Sequence, residues 1–573
     1  MRANKLSILF LAGFVILFLN LLRMQVIQGN YYRSLSERNR IRVIYLEGPR
    51  GKIVDRNGIP VVNNRLSFNV SAVPHEAKFT IHESCGILSM LLHVEAEELE
   101  SRFEKGKPGH FNSILLAEDI SPTQAMSIEE RLDGLPGFMI ETRPQREYPL
   151  RESVAHVTGF IGPMTTDELD RFEGVGYRQA DWVGRDGVER MYESYLRGVS
   201  GGLQIEVDSR GRLVRALGVK EPVEGKDIEL TLDSRLQSQV QNLLRTQKGA
   251  VIVMELEEGG LLSMNSNPSF DPNLFSSGQG RRDVGKYIHD ADAPMVNRGI
   301  RGQYPPGSIF KIVTALSGLE HKKITPVTSV NCRGYFIVGG KRFGCWNEAG
   351  HGPQNLSQAF AHSCNVYFYT TGLLAGIETL LGKTLEFGFS KPTGVDLPGE
   401  KNGFVPSREW KRKTFHEGWY DGETVNLAIG QGYLQVTPIQ ALNMVAAVAT
   451  HGHIFKPHLV NKIEGMRVAE RHTRFLNVPE ADWKAVEEGL DQVVNSDTGT
   501  GRLARVPGVH ILGKTGTAQS GQHKTHAWFV GFAPAKNPKI ALVVFLENGG
   551  RGGVAAAGVA KSVFQWLKEA SYL

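Results

Sequence analysis

The amino-acid sequence predicts an α+β chain in three parts: an N-terminal transmembrane helix, an elongated α/β pedestal, and a C-terminal domain whose antiparallel sheet is sandwiched by helices. Three observations predict it. Leu6–Leu22 is an uncharged apolar run of 17 residues, near the shortest stretch that spans a hydrocarbon core. From there to about residue 226, short apolar runs alternate with Gly-rich turns and a few helical stretches, the texture of mixed strands and helices. In the remainder, strand-like segments stand at both ends with helix-length periodic segments between them, as in a sheet covered by helices. With 573 residues the chain is no single small module. Lys+Arg 65 against Asp+Glu 60 leaves a formal +5, too weak a bias to argue for nucleic acid. Hydrophobic residues at 41% exclude a disordered chain, and four cysteines exclude a disulfide scaffold.

Residues 1–5 read as a cytoplasmic tail and 6–24 as the anchor, with Val26 and Ile27 extending into the interface. Arg2 and Lys5 would also suit a signal peptide, but no small-x-small cleavage site precedes Arg23, so the helix is expected to stay uncleaved. The basic tail favours an N-terminus inside, with everything after Arg23 outside the cytoplasmic membrane. The pedestal runs over 25–226. Asn30–Arg42 reads as a polar helix and Tyr45–Val62 as strand and turn. Helices are expected at Glu83–Leu92, Glu95–Lys105 and Pro122–Leu132, the last capped by Ser121. A Gly/Arg-rich block, Val183–Gly198, leads into a hairpin turning near Ser209–Gly211. The C-terminal domain takes 227–573. It opens with helix Arg235–Arg245 and paired strands Gly249–Leu256 and Gly260–Ser266. Helices Ile309–Glu320, Leu356–Leu374, Pro438–Thr450 and Ala481–Val494 follow, then strands Ala527–Ala533 and Ile540–Glu547 and a last helix, Val559–Ala570.

Three short segments of that domain carry chemistry together. In Tyr304-Pro305-Pro306-Gly307-Ser308-Ile309-Phe310-Lys311 the prolines fix an extended approach and Gly307 permits a sharp turn. Ser308 then opens an apolar helix with Lys311 one turn on. On such a helix desolvation disfavours the ammonium form, leaving an amine able to take the serine proton. In Ser363-Cys364-Asn365 the outer residues of an extended or turn segment face one side and the middle residue the other, so a hydroxyl and an amide share a pocket while Cys364 faces away. Lys514-Thr515-Gly516-Thr517 reads as an edge strand: Lys514 and Thr515 for a substrate carboxylate, Gly516 for close backbone approach, and the Thr517 N–H, with that of Ser308, for an oxyanion. Alone, each segment has a bland reading as helix cap, turn or strand end. Their order is far more specific, and such a set marks penicillin-binding proteins and class A β-lactamases.

With these motifs the sequence resembles the class B penicillin-binding proteins, and the resemblance covers nearly the whole chain. Gly48–Gly58 and Gly184–Arg190 look like their N-terminal motifs, and Asn297–Ser308, Gly430–Gln440 and Leu546–Gly550 follow in the expected order. Arg408–Lys413 and Trp419–Gly432 favour the elongation-type penicillin-binding protein 2 over the division-type enzyme. The resemblance implies a serine β-lactamase-like transpeptidase domain and a D,D-transpeptidase that cross-links peptidoglycan stem peptides. Ser308 would be the nucleophile, Lys311 its base, and Ser363 and Asn365 assistants. Lys514, Thr515, Gly516 and Thr517 would bind substrate, and β-lactams would acylate Ser308. No cofactor is needed for catalysis. No glycosyltransferase pattern is present, so the resemblance implies a SEDS-family glycan polymerase and elongation-complex proteins as partners in the inner membrane, the catalytic domain being periplasmic in a Gram-negative source. The rivals are a D,D-carboxypeptidase or β-lactamase-like hydrolase, and a non-catalytic penicillin-binding sensor or scaffold.

Cys332, Cys345, His351 and Cys364 form the pattern C-x12-C-x5-H-x12-C, a donor set suited to a structural tetrahedral zinc that would fasten Cys364 to the Cys332–Trp346 hairpin. Two other arrangements stay open. Cys332 and Cys345 could pair as a disulfide, or the thiols could pack reduced with His351 a loop histidine; His362 also stands near enough to compete as a ligand. Cys85 stands alone and is expected to pack.

Overall fold

The computed structural model describes residues 2–32, 41–77, 81–106, 113–171, 174–178, 181–207, 213–276, 281–468, 474–521 and 524–573. The first element is helix α1 (Arg2–Leu22), whose described side chains are all exposed. Ser7–Ile27 is the one stretch among the described residues long and apolar enough to cross a membrane. Apolar side chains exposed on every face suit lipid better than water. The expected polar helix Asn30–Arg42 lies mostly outside the described residues; Ile41 and Arg42 open a strand.

The chain divides into two compact units, 1–51 with 66–144 and 197–225, and 52–65 with 145–196 and 226–573. In the first, β1 (Ile41–Leu46) pairs antiparallel with β5 (Gly201–Val207), and β5 with β6 (Leu213–Lys220). The expected hairpin is thus present, although its turn at Ser209–Gly211 is outside the described residues. The C-terminal half of β2 (Pro60–Ala72) pairs antiparallel with β3 (Ile114–Ile120), and β2 also pairs with β4 (Phe138–Glu147). Helices α2 (Ile81–Leu92), α3 (Ala96–Lys105) and α4 (Pro122–Glu129) bury Leu88, Leu99, Phe103 and Ile128 together with Val70 and Leu116. Ser121 caps α4 as expected, its hydroxyl accepting from the Gln124 N–H while the Gln124 side chain accepts from the Ser121 N–H. Cys85 is fully buried in this cluster, and burial pushes its thiol up to about 11.

The second unit is built on a five-stranded antiparallel sheet. Its strands are β7 (Gly249–Glu255), β8 (Leu261–Asn267), β11 (Leu512–Ser520), β12 (Lys524–Ala533) and β13 (Ile540–Leu546), in spatial order β8-β7-β13-β12-β11. Every residue of β13 is buried. Because successive side chains point to opposite faces, both faces must be covered. The cover comes from α5 (Ser234–Leu244), α11 (Pro438–Ala449), α12 (Glu480–Asn495) and α13 (Ala555–Glu569), which pack on the sheet strands. Off this sheet, β9 (Tyr335–Val338) pairs antiparallel with β10 (Lys341–Gly344). Strand β11 is an edge of the five-stranded sheet, so its outer backbone is open to an incoming chain.

The expected helix Leu356–Leu374 is two helices, α7 (Leu356–Ala361) and α8 (Asn365–Ala375). Apolar periodicity continues on both sides, but Ser363 adopts φ 51°, a left-handed conformation that ends a helix. The break places Ser363-Cys364-Asn365 at the junction. The other expected helices of this unit are present within a few residues of their spans, α6 (Lys311–Glu320) among them, while α9 (Arg408–Phe415) and α10 (Asp421–Ala428) are helices that the sequence reading did not assign.

Candidate active site

Gly307–Phe310 forms a 3-10 turn that runs directly into α6. In 3-10 geometry residues three apart eclipse one another, which puts Ser308 and Lys311 on one face. Ser308 is half-buried, and the first nine residues of α6, Lys311 among them, are buried. The turn is held by close backbone packing. Gly307 donates its N–H to the Gly430 carbonyl at 2.9 Å, and Trp528 Nε1 donates to the Pro305 carbonyl at 3.1 Å. Gly430 has φ 71°, and a Cβ there would stand 2.3 Å from the Gly307 oxygen. Gly430→Ala is therefore expected to destabilise the fold by roughly 1–3 kcal/mol and to displace the serine turn. Denaturant unfolding and the rate of covalent penicillin labelling measure the two effects.

Lys311 Nζ is within 2.8 Å of the Ser363 carbonyl, 2.8 Å of Asn365 Oδ1 and 3.2 Å of Ser363 Oγ. Lys514 Nζ stands 3.0 Å from the same hydroxyl and 3.1 Å from the Thr515 carbonyl. Ser363 Oγ thus lies between two fully buried amines, with no carboxylate among the groups they contact. Desolvation pushes Lys311 down to about 8, the Cys364 and Cys345 sulfurs opposing it. Desolvation, with Lys311 as a like charge, holds Lys514 well below the ordinary lysine range. A neutral Lys311 has two hydrogens, and the two carbonyl oxygens at 2.8 Å can take both; its lone pair is then left for a hydroxyl proton.

Strand β11 runs beside the serine turn. A Cβ on Gly516 would stand 3.1 Å from both the Pro306 carbonyl and Ile309 Cγ2, so only glycine lets the two backbones approach this closely. Thr515 is buried and donates to Thr500 Oγ1 at 3.0 Å, while Thr517 is exposed and its Oγ1 accepts from the Gly552 N–H at 3.2 Å. The structure therefore brings Lys311, Ser363, Asn365 and Lys514 into one hydrogen-bonded group, with Ser308 one turn from Lys311 and Gly516 against the serine turn. Sequence reasoning missed Thr500 altogether, and it named Gly430 only within a resembling segment, without its contact to the serine turn. Both lie in Gly-rich loops without periodicity.

Two family descriptions match the chain: "Penicillin-binding Protein dimerisation domain" over residues 45–230 and "Penicillin binding protein transpeptidase domain" over residues 249–565. The chain is similar to the peptidoglycan D,D-transpeptidase MrdA of Acinetobacter baumannii, at 34% identity over 99% of this chain and 88% of that one. The chain belongs to the MrdA group of class B penicillin-binding proteins. Among solved structures, the penicillin-binding protein PBP2 of Helicobacter pylori, in complex with MreC, aligns with a TM-score of 0.83 at 31% identity, over 93% of this chain and all of that one. A chain from a peptidoglycan synthase complex described as coordinating polymerization and crosslinking aligns at 0.75 and 30% identity, over 98% and 97%.

Beside this hydrogen-bonded group stands the cysteine cluster, whose Cys364 and Cys345 act on Lys311. The donor atoms of Cys332, Cys345, His351 and Cys364 all lie within 4.8 Å of one another, and His351 Nδ1 stands 3.5 Å from Cys332 Sγ and 3.6 Å from Cys345 Sγ. Tetrahedral zinc with ordinary Zn–S and Zn–N lengths would set such atoms ~3.6 Å apart, which the two His351 distances match; the group is compatible with a metal site. All four cysteines of the chain are unpaired. His362 is engaged elsewhere, Nδ1 with Gln354 Oε1 at 2.7 Å and Nε2 with Thr498 Oγ1 at 3.2 Å. The hydrogen bond from the Cys364 thiol holds Cys345 far below the usual thiol range, with His351 adding to it.

Proposed function

We propose that this chain is a serine-type peptidoglycan D,D-transpeptidase acting through a Ser308 acyl-enzyme. The observation that carries the reading is the fully buried Lys311 amine beside the Ser363 hydroxyl and the Lys514 strand. Ser308 Oγ attacks the D-Ala-D-Ala carbonyl of one stem peptide as its proton passes to Lys311. The oxyanion is met by the Ser308 and Thr517 N–H groups. The C–N bond breaks, and the departing D-alanine takes a proton relayed by Ser363, with Asn365 holding Lys311 in place. The amine of a neighbouring stem then attacks the ester carbonyl, and as the Ser308 Oγ–C bond breaks the amine's proton returns through Lys311 to Ser308 Oγ. Lys514 and Thr515 bind the terminal carboxylate, whose charge favours the protonated form of Lys514, and Gly516 admits the peptide backbone. β-Lactams acylate the same serine. Labelled stem peptide supplied with an acceptor amine is expected to give a cross-linked dimer. Hydrolysis alone would support the D,D-carboxypeptidase or β-lactamase-like reading, and penicillin labelling without turnover the sensor or scaffold.

Helix α1 supports a single-pass anchor in the inner membrane, with the N-terminus inside and the catalytic domain outside. Relatives solved with MreC and within a peptidoglycan synthase complex support elongation-complex proteins and a SEDS-family polymerase as partners. Cys332, Cys345, His351 and Cys364 would hold a structural zinc that fixes the backbone beside Ser363. Metal analysis of protein purified without chelator is expected to find about one zinc per chain. Four freely reactive thiols and no zinc would overturn that assignment.

A further inference from the structure

The segments Arg408–Lys413 and Trp419–Gly432 distinguish this chain's branch of the family, yet the reaction uses little of them beyond Gly430. Lys411 of the first pairs with Glu423 of the second, and Trp410 of the first gathers a cluster of rings, Phe404, Phe415 and Tyr433, that flank the two segments. The Trp410 ring stands edge-on to Phe404, Phe415 and Tyr433, with centroids 4.8, 5.5 and 4.9 Å away, and Phe415 and Tyr433 lie 5.4 Å apart with 32° between their planes. Phe415 is 44% exposed and Tyr433 37%, so two neighbouring rings of a four-ring cluster are open to solvent. A contiguous aromatic group of this kind marks a contact surface more often than a lone exposed ring does.

Its position is fixed relative to the nucleophile. Tyr433 lies three residues beyond Gly430, which accepts the Gly307 N–H, so at most about 11 Å of chain separates the rings from the serine turn. The following residues are stitched on both sides. Phe404 and Gln435 exchange backbone hydrogen bonds of 2.7 and 2.9 Å, and Tyr304 and Val436 exchange bonds of 2.9 and 2.8 Å.

The surrounding charges are largely paired: Lys411 with Glu423 at 2.5 Å, Lys413 with Glu409 at 2.7 Å and Arg408 with Glu378 at 2.8 Å. A surface of aromatic rings amid paired charges suits an uncharged ligand better than a polyanion. A saccharide fits, because its polarised C–H groups meet the negative faces of the rings. The reaction supplies one, since stem peptides hang from a glycan. A stem of four or five residues spans at most about 18 Å, so a peptide acylating Ser308 brings its own sugar within reach of the rings.

We propose that Phe415 and Tyr433, braced by Trp410, form a stacking platform for the glycan that carries the donor stem peptide. The platform is a positioning element for the acyl transfer proposed above and rests on that reading.

The test compares D-alanine release by the full chain in detergent micelles from a free stem pentapeptide and from the same peptide on its disaccharide. The wild type is expected to favour the sugar-bearing donor by about tenfold in kcat/KM, mostly through KM. A Phe415→Ala/Tyr433→Ala double variant is expected to bring that ratio near one, and Tyr433→Trp to preserve it. A wild-type ratio near one, or a double variant that slows both donors alike, overturns the proposal. So does unaltered discrimination in a variant that fails to support wall growth in cells, which would make the surface a protein contact. Peptide-free glycan fragments, titrated while tryptophan fluorescence is followed, give an arm independent of turnover. A spectral change lost in the double variant supports the platform, and an unchanged wild-type spectrum overturns it. If wild type bound glycan but released D-alanine from neither donor, the acyl-transfer reading would fail while the platform stood.

Discussion

Replacing Ser308 by alanine is expected to reduce covalent penicillin labelling to background and donor-peptide turnover by on the order of 10^6-fold, the scale on which a serine protease loses kcat with its nucleophile. The substitution removes one hydroxyl from a half-buried position, so the unfolding midpoint should move little. Fluorescent-penicillin labelling of wild type and variant, with thermal unfolding as the control, measures both. A variant that still labels at the wild-type rate would place the acylated residue elsewhere and remove the basis of the proposed mechanism.

Lys311→Met is expected to slow acylation by about 10^3-fold, within the range that a positioned general base contributes. With Lys311 titrating at about 8, the neutral amine is roughly a tenth of the population at pH 7. Wild-type acylation should therefore rise about tenfold per pH unit below that value and level off above it. The methionine variant should be flat over the same range. The apparent value belongs to the coupled Lys311–Ser363–Lys514 group rather than to one amine. The variant should also be more stable. Lowering a lysine from 10.5 to about 8 costs the protonated folded state roughly 3 kcal/mol. The folded chain binds this proton more weakly than the unfolded one, so the cost is full below about pH 8 and fades as pH rises toward 10.5. Below pH 8, methionine lifts it. Stopped-flow labelling across pH and denaturant unfolding at pH 7 read the two effects, and a gain of stability with a loss of rate is the signature of a residue kept for chemistry.

Much of the site was legible because its chemistry is local. Ser308 and Lys311 are one turn apart in a single apolar segment, and the strand character of Leu512–Ser520 follows from its own residues. The motif order pointed to an edge strand beside the serine turn, but the strand order that makes β11 the edge of a five-stranded sheet could not be read, since it follows from pairing strands hundreds of residues apart. Nor could the sequence reveal that Ile53–Val54 pairs parallel with Ile228–Glu229, which draws an early segment into the second unit. The break between α7 and α8 leaves no mark in the apolar periodicity, which runs through both; only the reading of Ser363-Cys364-Asn365 as an extended or turn segment pointed to it. Thr500 reaches Thr515 from a loop whose sequence carries no signal of its own.

The left-handed backbone of Ser363 narrows what can replace it. Glycine would relax φ 51° but delete the hydroxyl held between Lys311 and Lys514. Threonine would keep the hydroxyl but add a branch at Cβ that this conformation resists. No single replacement meets both demands. An inhibitor that drew its affinity from this hydroxyl would therefore press on a position with little room to mutate.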